Sequence, residues 1–566
     1  MTGYLLTAGV NARLDTAVAV NGTVPVHGTV ATRHTWTAGH EGKSAGYVKI
    51  GATTPASPSP RWSVLITGGV HARELAPPDA LVAFVERLLS AYARGTGVSY
   101  PAFTTNGVTY PAFDVHADIV RAVVERLNLV VAPLVNADGR DYVLAPLPFS
   151  APVAEQELHK NWRKNRRPKP PVFTDERAGG VDINRNFDIL FDFEKHYSAA
   201  GAATVRTSTN HLHDTFYGGK SSAGSEPETK NLVKLFHDEG IGYYLDVHSY
   251  SRKIMWSWGI ETNQSDDVAQ SFMNAAKDGQ RDGTAGNAYR EYIPSGQEAA
   301  ASMMAFLMCN AIATEAGGAD PTALRRSTYE AIPSSRLYPT TGTTTDFCFS
   351  RWFTEAAAGR PIRPVTSIVI EAGGDPRNGP DHQDGAFWPD YTTQYPKIER
   401  EIHAAIWSFL TQIVVTPVTG PSAPPPPSPA PAPSGTPSRL CLVATTLYRD
   451  PEHPSVVFLR DVRDRQLLST GPGRRFATWL TTGYDRVSPG IAAWFTHHPT
   501  TARLTRRLVF GPFVATLRTV SAATARSPRA RSLVLSAALG TLAGPIIAAG
   551  QRQGRRRKLR SLRKLR

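Results

Sequence analysis

Four short apolar runs each end at a polar or glycine-rich turn, and amphipathic segments separate them. WSVLIT (62–67) runs into Gly68-Gly69, and LNLVVAPLV (127–135) into Asn136-Ala137-Asp138-Gly139. YYLDV (243–247) meets His248-Ser249, and TSIVI (366–370) meets Glu371-Ala372-Gly373-Gly374. Apolar runs this short, bounded by such turns, read as buried strands. Residues 78–93 and 228–238 carry helical spacing, the first with proline in its opening turn. Strands alternating with helices predict an α/β fold, with a mixed, largely parallel central sheet flanked by helices. Such sheets bind ligands beyond the carboxyl ends of their strands. His71, His248 and Glu371 all fall there and are candidates for one shared site.

At 566 residues the chain is too long for one ordinary domain. Hydrophobic residues at 41% and charged residues at 19% exclude wholesale disorder. Three cysteines, Cys309, Cys348 and Cys441, exclude a disulfide framework and a four-thiolate zinc site. Ten prolines crowd residues 416–437, a composition that makes a semi-rigid spacer. The expected organisation is a catalytic domain over 1–415, a linker over 416–438 and a basic C-terminal region over 439–566. That last region holds 24 Lys/Arg against 5 Asp/Glu, while 1–438 holds 38 against 43. The net charge of +14 therefore belongs to the tail, and no nucleic-acid partner is expected for the body.

The chemistry concentrates in a few segments. His71 and Glu74 stand three apart just past the first strand and can grip one metal ion. A bare HxxE is weak, because helices carry such pairs by chance. His248 ends a separate strand and would complete two histidines and one glutamate, with a fourth position left for water. That is the set expected of a catalytic zinc site. A lone strand-end histidine is otherwise more often structural. Glu371 could serve the water as base and pass the proton to a leaving amine; the alternative is a salt-bridged or surface glutamate. Arg185 offers a planar fork for a carboxylate and Asn184 adds donors. Arg163 offers a cation for a developing oxyanion, although it lies in the basic run 160–167, and such runs are usually solvated.

Taken in order, GGVHARE, VNADGR, NWRKNRR, GGVDINRNFD, FYGGKSSAGSEPET, DVHSYS, LYPTTGTTTDF and SIVIEAGG resemble the zinc metallocarboxypeptidases of the carboxypeptidase A/B type. The resemblance implies one zinc ion per chain, held by His71, Glu74 and His248. It implies Glu371 as general base and acid, Arg163 as the group polarising the scissile carbonyl, and Tyr338 as the mobile tyrosine over the bound C-terminus. Asn184 and Arg185 match the clamp on the substrate's terminal carboxylate. Arg73 and Tyr250 match subsite residues, and Asp182 the carboxylate that orients the first zinc histidine. Thr345 falls where the last side chain of the substrate is read, which leans towards a neutral or apolar residue. The implied substrate is a peptide or protein with a free C-terminal carboxylate. Two other readings are a relative acting on cell-wall peptides or as an amidase, and a non-catalytic zinc or peptide-binding module. The presence of Asn184, Arg185 and Tyr338 weighs against the amidase, and that of Glu371 against the binding module.

The tail opens with Cys441-Leu442-Val443-Ala444-Thr445 and resembles the bacterial CFI-box sorting domain, with Leu-Val in place of Phe-Ile. Cys441 then reads as a processing or attachment site, or as an ordinary buried thiol. Residues 532–550 carry no charge and precede RQGRRRKLRSLRKLR. Nineteen such residues approach a membrane span, and the basic cluster would stay cytoplasmic. The alternative is an amphipathic or core helix whose basic tail is drawn to anionic lipid. The tail's expected partners are thus a membrane or sorting machinery, with the catalytic domain outside the cytoplasm. Residues 1–19 show no signal-peptide pattern, so localisation stays open.

Overall fold

The structure is a computed structural model. It describes residues 3–422, apart from short stretches of which 316–328 and 375–385 are the longest, and only isolated positions beyond 422. The chain divides into two units, Met1–Ser428 and Pro429–Arg566, and every element below lies in the first. Cys441 and the apolar stretch 532–550 lie outside the described residues. No helix among the described residues is long and apolar enough to cross a membrane, so the expected membrane segment gains no support.

Eight strands form the central sheet: β1 (Ala31–His34), β2 (Tyr47–Ile50), β3 (Trp62–Gly68), β4 (Leu127–Ala132), β5 (Tyr243–His248), β6 (Lys253–Trp256), β7 (Glu330–Pro333) and β8 (Thr366–Glu371). Their order is β7-β6-β8-β5-β3-β4-β2-β1. The middle of the sheet, β8-β5-β3-β4, is parallel throughout. Antiparallel pairs join β6 to β8, β4 to β2 and β2 to β1. The expected parallel strands are therefore the buried centre, and the mixed character comes from short strands outside it.

Both faces are covered, as all-parallel centres require. Alternation along β3 sends Val64 and Ile66 to one face and Leu65 to the other. The first face packs α1 (Thr7–Asn21), α2 (Ala76–Arg94), α3 (Ala117–Arg126), α5 (Ser295–Glu315) and α7 (Tyr395–Val414). The second packs α4 (Pro227–Asp238) and α6 (Thr344–Ala357) around Phe236, Tyr244, Phe349 and Phe353. Prolines at the first turn of α2 and Gly95 in the left-handed region after its last turn set that helix's limits. A buried pair, Arg140 with Asp79 at 2.5 Å, joins the first turn of α2 to the NADGR segment. Arg140 also donates to the Leu5 and Leu75 carbonyls, so it pins the N-terminal strand of chain to the same place.

Candidate active site

The turn after β3 and the carboxyl ends of β5 and β8 bring the chemistry together. Gly69 adopts a positive φ of 62°, which turns the chain sharply out of β3 towards His71. Asn136 caps the following short helix by accepting from the Gly139 N–H. Its amide donates to the carbonyls of Val70 and Lys164, so one buried side chain ties the His71 turn to the Arg163 segment. The Ala72 N–H to Arg163 carbonyl bond closes the same joint.

His71, Glu74 and His248 converge, each buried, with one ligand atom apiece lying within 4.8 Å of the others. His71 Nδ1 stands 2.6 Å from Glu74 Oε1, and His248 Nδ1 stands 3.0 Å from Glu74 Oε2. The two Nδ1 atoms face one another at 3.0 Å. Their far nitrogens turn to carboxylates: His71 Nε2 lies 3.3 Å from Asp182, and His248 Nε2 lies 2.9 Å from Asp246. Two imidazoles presenting Nδ1 beside one carboxylate, each backed by an acid, fit a zinc ion. Burial would raise the Glu74 carboxyl, but His71 and His248 hold it well below the usual range. Burial likewise opposes ionisation of Asp182, and Arg163, Arg185 and His71 overcome it.

Glu371 sits beside His248 in the β5–β8 register and is partly exposed. Burial of its carboxyl, reinforced by Glu74 and opposed by His248 and Arg163, pushes it up to about 8. A carboxyl in that range is suited to proton exchange near neutral pH. Arg163 is buried, not solvated as its basic run suggested. Its Nε donates to Asp182 at 2.9 Å, and Nη1 lies 3.8 Å from Glu74.

Asn184 and Arg185 occupy a single 3₁₀ turn, Ile183–Arg185, whose N-cap is Asp182. Asn184 Oδ1 accepts from both the Thr344 N–H and its hydroxyl, so the amide N–H₂ is the donor end of the side chain. Arg185 spends Nε on the Arg206 carbonyl and one Nη1 proton on that of Asn184, and also engages the Tyr338 hydroxyl. Tyr338 is half-buried against Phe216, their ring centroids 6.0 Å apart.

Arg73 lies 4.2 Å over the Phe387 ring, and Tyr250 meets the same ring edge-on at 4.9 Å. Phe387 thus joins two expected subsite residues into one wall. Nothing in its sequence neighbourhood marked it. Thr345 is buried at the start of α6, and its carbonyl accepts from Ser367 on β8. Its neighbour Asp346 accepts the Gly259 N–H with both oxygens, at 3.0 and 2.9 Å, and burial pushes it up to about 6. Asp246 was the other residue missed. The two-residue period of a strand places it on the face of His248 and was the available signal.

A family profile described as zinc carboxypeptidase matches residues 25–374. This chain belongs to that family. Carboxypeptidase B of Helicoverpa zea is 24% identical over 227 residues, covering 40% of this chain and 41% of that protein. Carboxypeptidase O of Bos taurus is 26% identical over 256 residues, covering 44% of this chain and 54% of that protein. The chain therefore spans about half or less of the length of these curated relatives. Among solved structures, bovine thrombin-activatable fibrinolysis inhibitor bound to tick carboxypeptidase inhibitor aligns with a TM-score of 0.45. The identity is 16%, over 73% of this chain and 98% of that one.

Proposed function

We propose that the chain is a zinc-dependent metallocarboxypeptidase that removes the C-terminal residue of peptides, with the activity residing in residues 1–415. The observation that carries this reading is the convergence of His71, Glu74 and His248, from two distant segments, beside Glu371 on the neighbouring strand. Zinc held by the trio would supply the Lewis acidity that makes water nucleophilic near neutral pH. Glu371 takes the proton of the attacking water and returns it to the departing amine. Arg163, fixed by Asp182, faces the charge that develops on the scissile carbonyl oxygen. Asn184 and Arg185 hold the terminal carboxylate, with Tyr338 beside them, and the Arg73–Phe387–Tyr250 wall borders the upstream residues.

The preferred last residue is neutral or apolar. Val369 lies two positions before Glu371 on the same face of β8, and the register sets Met255 beside it and Ile332 beyond. These three form a small apolar cluster with Leu337. Asp346, the acid adjoining Thr345, is committed to the Gly259 amide, so it offers no open charge to a basic side chain.

The test is a digest of a peptide library by the full chain, with and without chelator, read by mass spectrometry. Release of single C-terminal residues, lost on chelation and in Glu371→Gln, is expected. Hydrolysis of a blocked dipeptide at an unchanged rate by Glu371→Gln would remove Glu371 from the mechanism. Activity confined to muropeptides would favour the cell-wall reading.

A further inference from the structure

The two imidazoles of the trio are backed differently. Asp182, behind His71, is shared with a cation: its Oδ2 accepts from Arg163 Nε, and its Oδ1 accepts from the Asn184 N–H. Asp246, behind His248, is fully buried, and no cation other than that histidine pairs with it among the described residues. Thr67 donates its hydroxyl to Asp246 Oδ1 at 2.7 Å. The Tyr244 hydroxyl lies 2.7 Å from the Thr67 hydroxyl and also engages Asp246. Thr67 therefore fixes Oδ1, and Oδ2 is left for the imidazole.

Asp246 Oδ2 and His248 Nε2 lie 2.9 Å apart, and neither has a hydrogen-bond partner elsewhere. Among the described residues no lysine or arginine forms an ion pair with Asp246. A buried carboxylate without a cation is costly unless positive charge is supplied close by. Across the His248 ring from Asp246, Nδ1 meets Glu74 and His71 Nδ1, where a metal cation would place positive charge.

We propose that Asp246 is a positioning residue for the metal centre. It fixes the His248 tautomer with Nδ1 turned to the cation, and its unshared negative charge helps retain that cation. The inference rests on the zinc reading above, but metal binding can be measured without any peptidase assay, so the two fail separately. Asp182 does the same for His71 while also serving Arg163. Substitution of Asp246 should therefore disturb the metal and leave the arginine in place.

The experiment uses the full-length protein with Asp246→Asn and Thr67→Val. Zinc affinity is measured by chelator competition, the metal geometry by the visible spectrum of the cobalt-substituted protein, and integrity by thermal unfolding of the metal-free form. Asp246→Asn is expected to bind zinc about 10- to 100-fold more weakly, the usual effect of losing such a partner. Its cobalt spectrum should change while the metal-free melting stays near that of the parent protein. Thr67→Val keeps the charge but frees the carboxylate, so it should alter the cobalt spectrum with a smaller loss of affinity. Parental zinc affinity in a folded Asp246→Asn, or an unaltered cobalt spectrum in Thr67→Val, overturns the proposal. A destabilised metal-free protein with parental affinity would make Asp246 a packing residue only.

Discussion

Arg185→Lys isolates the proposed carboxylate clamp. The substitution keeps the positive charge and removes the fork. Arg185 is buried, and its Nε and Nη1 are anchored to the carbonyls of Arg206 and Asn184. That anchoring fixes the guanidinium, which also engages the Tyr338 hydroxyl. A lysine ammonium is a point charge that cannot reproduce two anchors and a bidentate grip together. Losing one charged hydrogen bond to the substrate costs about 1.5–3 kcal/mol. Converted at 1.36 kcal/mol per decade, this is roughly a 10- to 150-fold fall in kcat/KM. The carboxylate is held in ground and transition states alike, so most of the loss should appear in KM. Steady-state kinetics on a blocked dipeptide and on its C-terminal amide make the assay. The penalty should vanish for the amide, which has no charge to hold. An equal penalty on both substrates, or none on the acid, would refute the clamp.

Two further outcomes concern stability. Glu228 is buried with Oε1 unpartnered, and burial, partly offset by its Asn165 bond, pushes its carboxyl up to about 7. A carboxyl raised on folding keeps its proton longer in the native state, so its contribution is present below the unfolded value of about 4.5. That contribution is lost as pH rises through about 7, a swing of roughly 3 kcal/mol. Glu228→Gln should therefore gain melting temperature over the parent at pH 8 relative to pH 5, and parallel curves would contradict the assignment. Asp79→Ala leaves Arg140 buried and unpaired, which should cost about 3–5 kcal/mol in denaturant unfolding; a loss under 1 kcal/mol would show that the pair is relaxed by water.

The centre of the sheet was legible because β3, β4, β5 and β8 are continuous apolar runs, each ending in turn residues. The edge strands β1, β2, β6 and β7 were not, since four-residue segments such as KIMW or EAIP carry no period to read. The metal trio was readable from residue type at strand ends. The state of Arg163 was not, because a run of basic residues looks the same whether it is solvated or folded over a buried Asp182. Asp246 was within reach, one strand period from His248. Phe387 was beyond it: an aromatic following 375–385 has no pattern, and only the approach of Arg73 and Tyr250 gives it a place.

The strand that bears Glu371 is the last of the eight to be synthesised, yet it lies inside the sheet, between β6 and β5. A ribosome-bound chain can expose all three metal-binding residues long before that slot is filled. On the function proposed above, hydrolytic competence is tied to insertion of that strand, and an incomplete nascent chain lacks the general base it would need to trim itself or its neighbours.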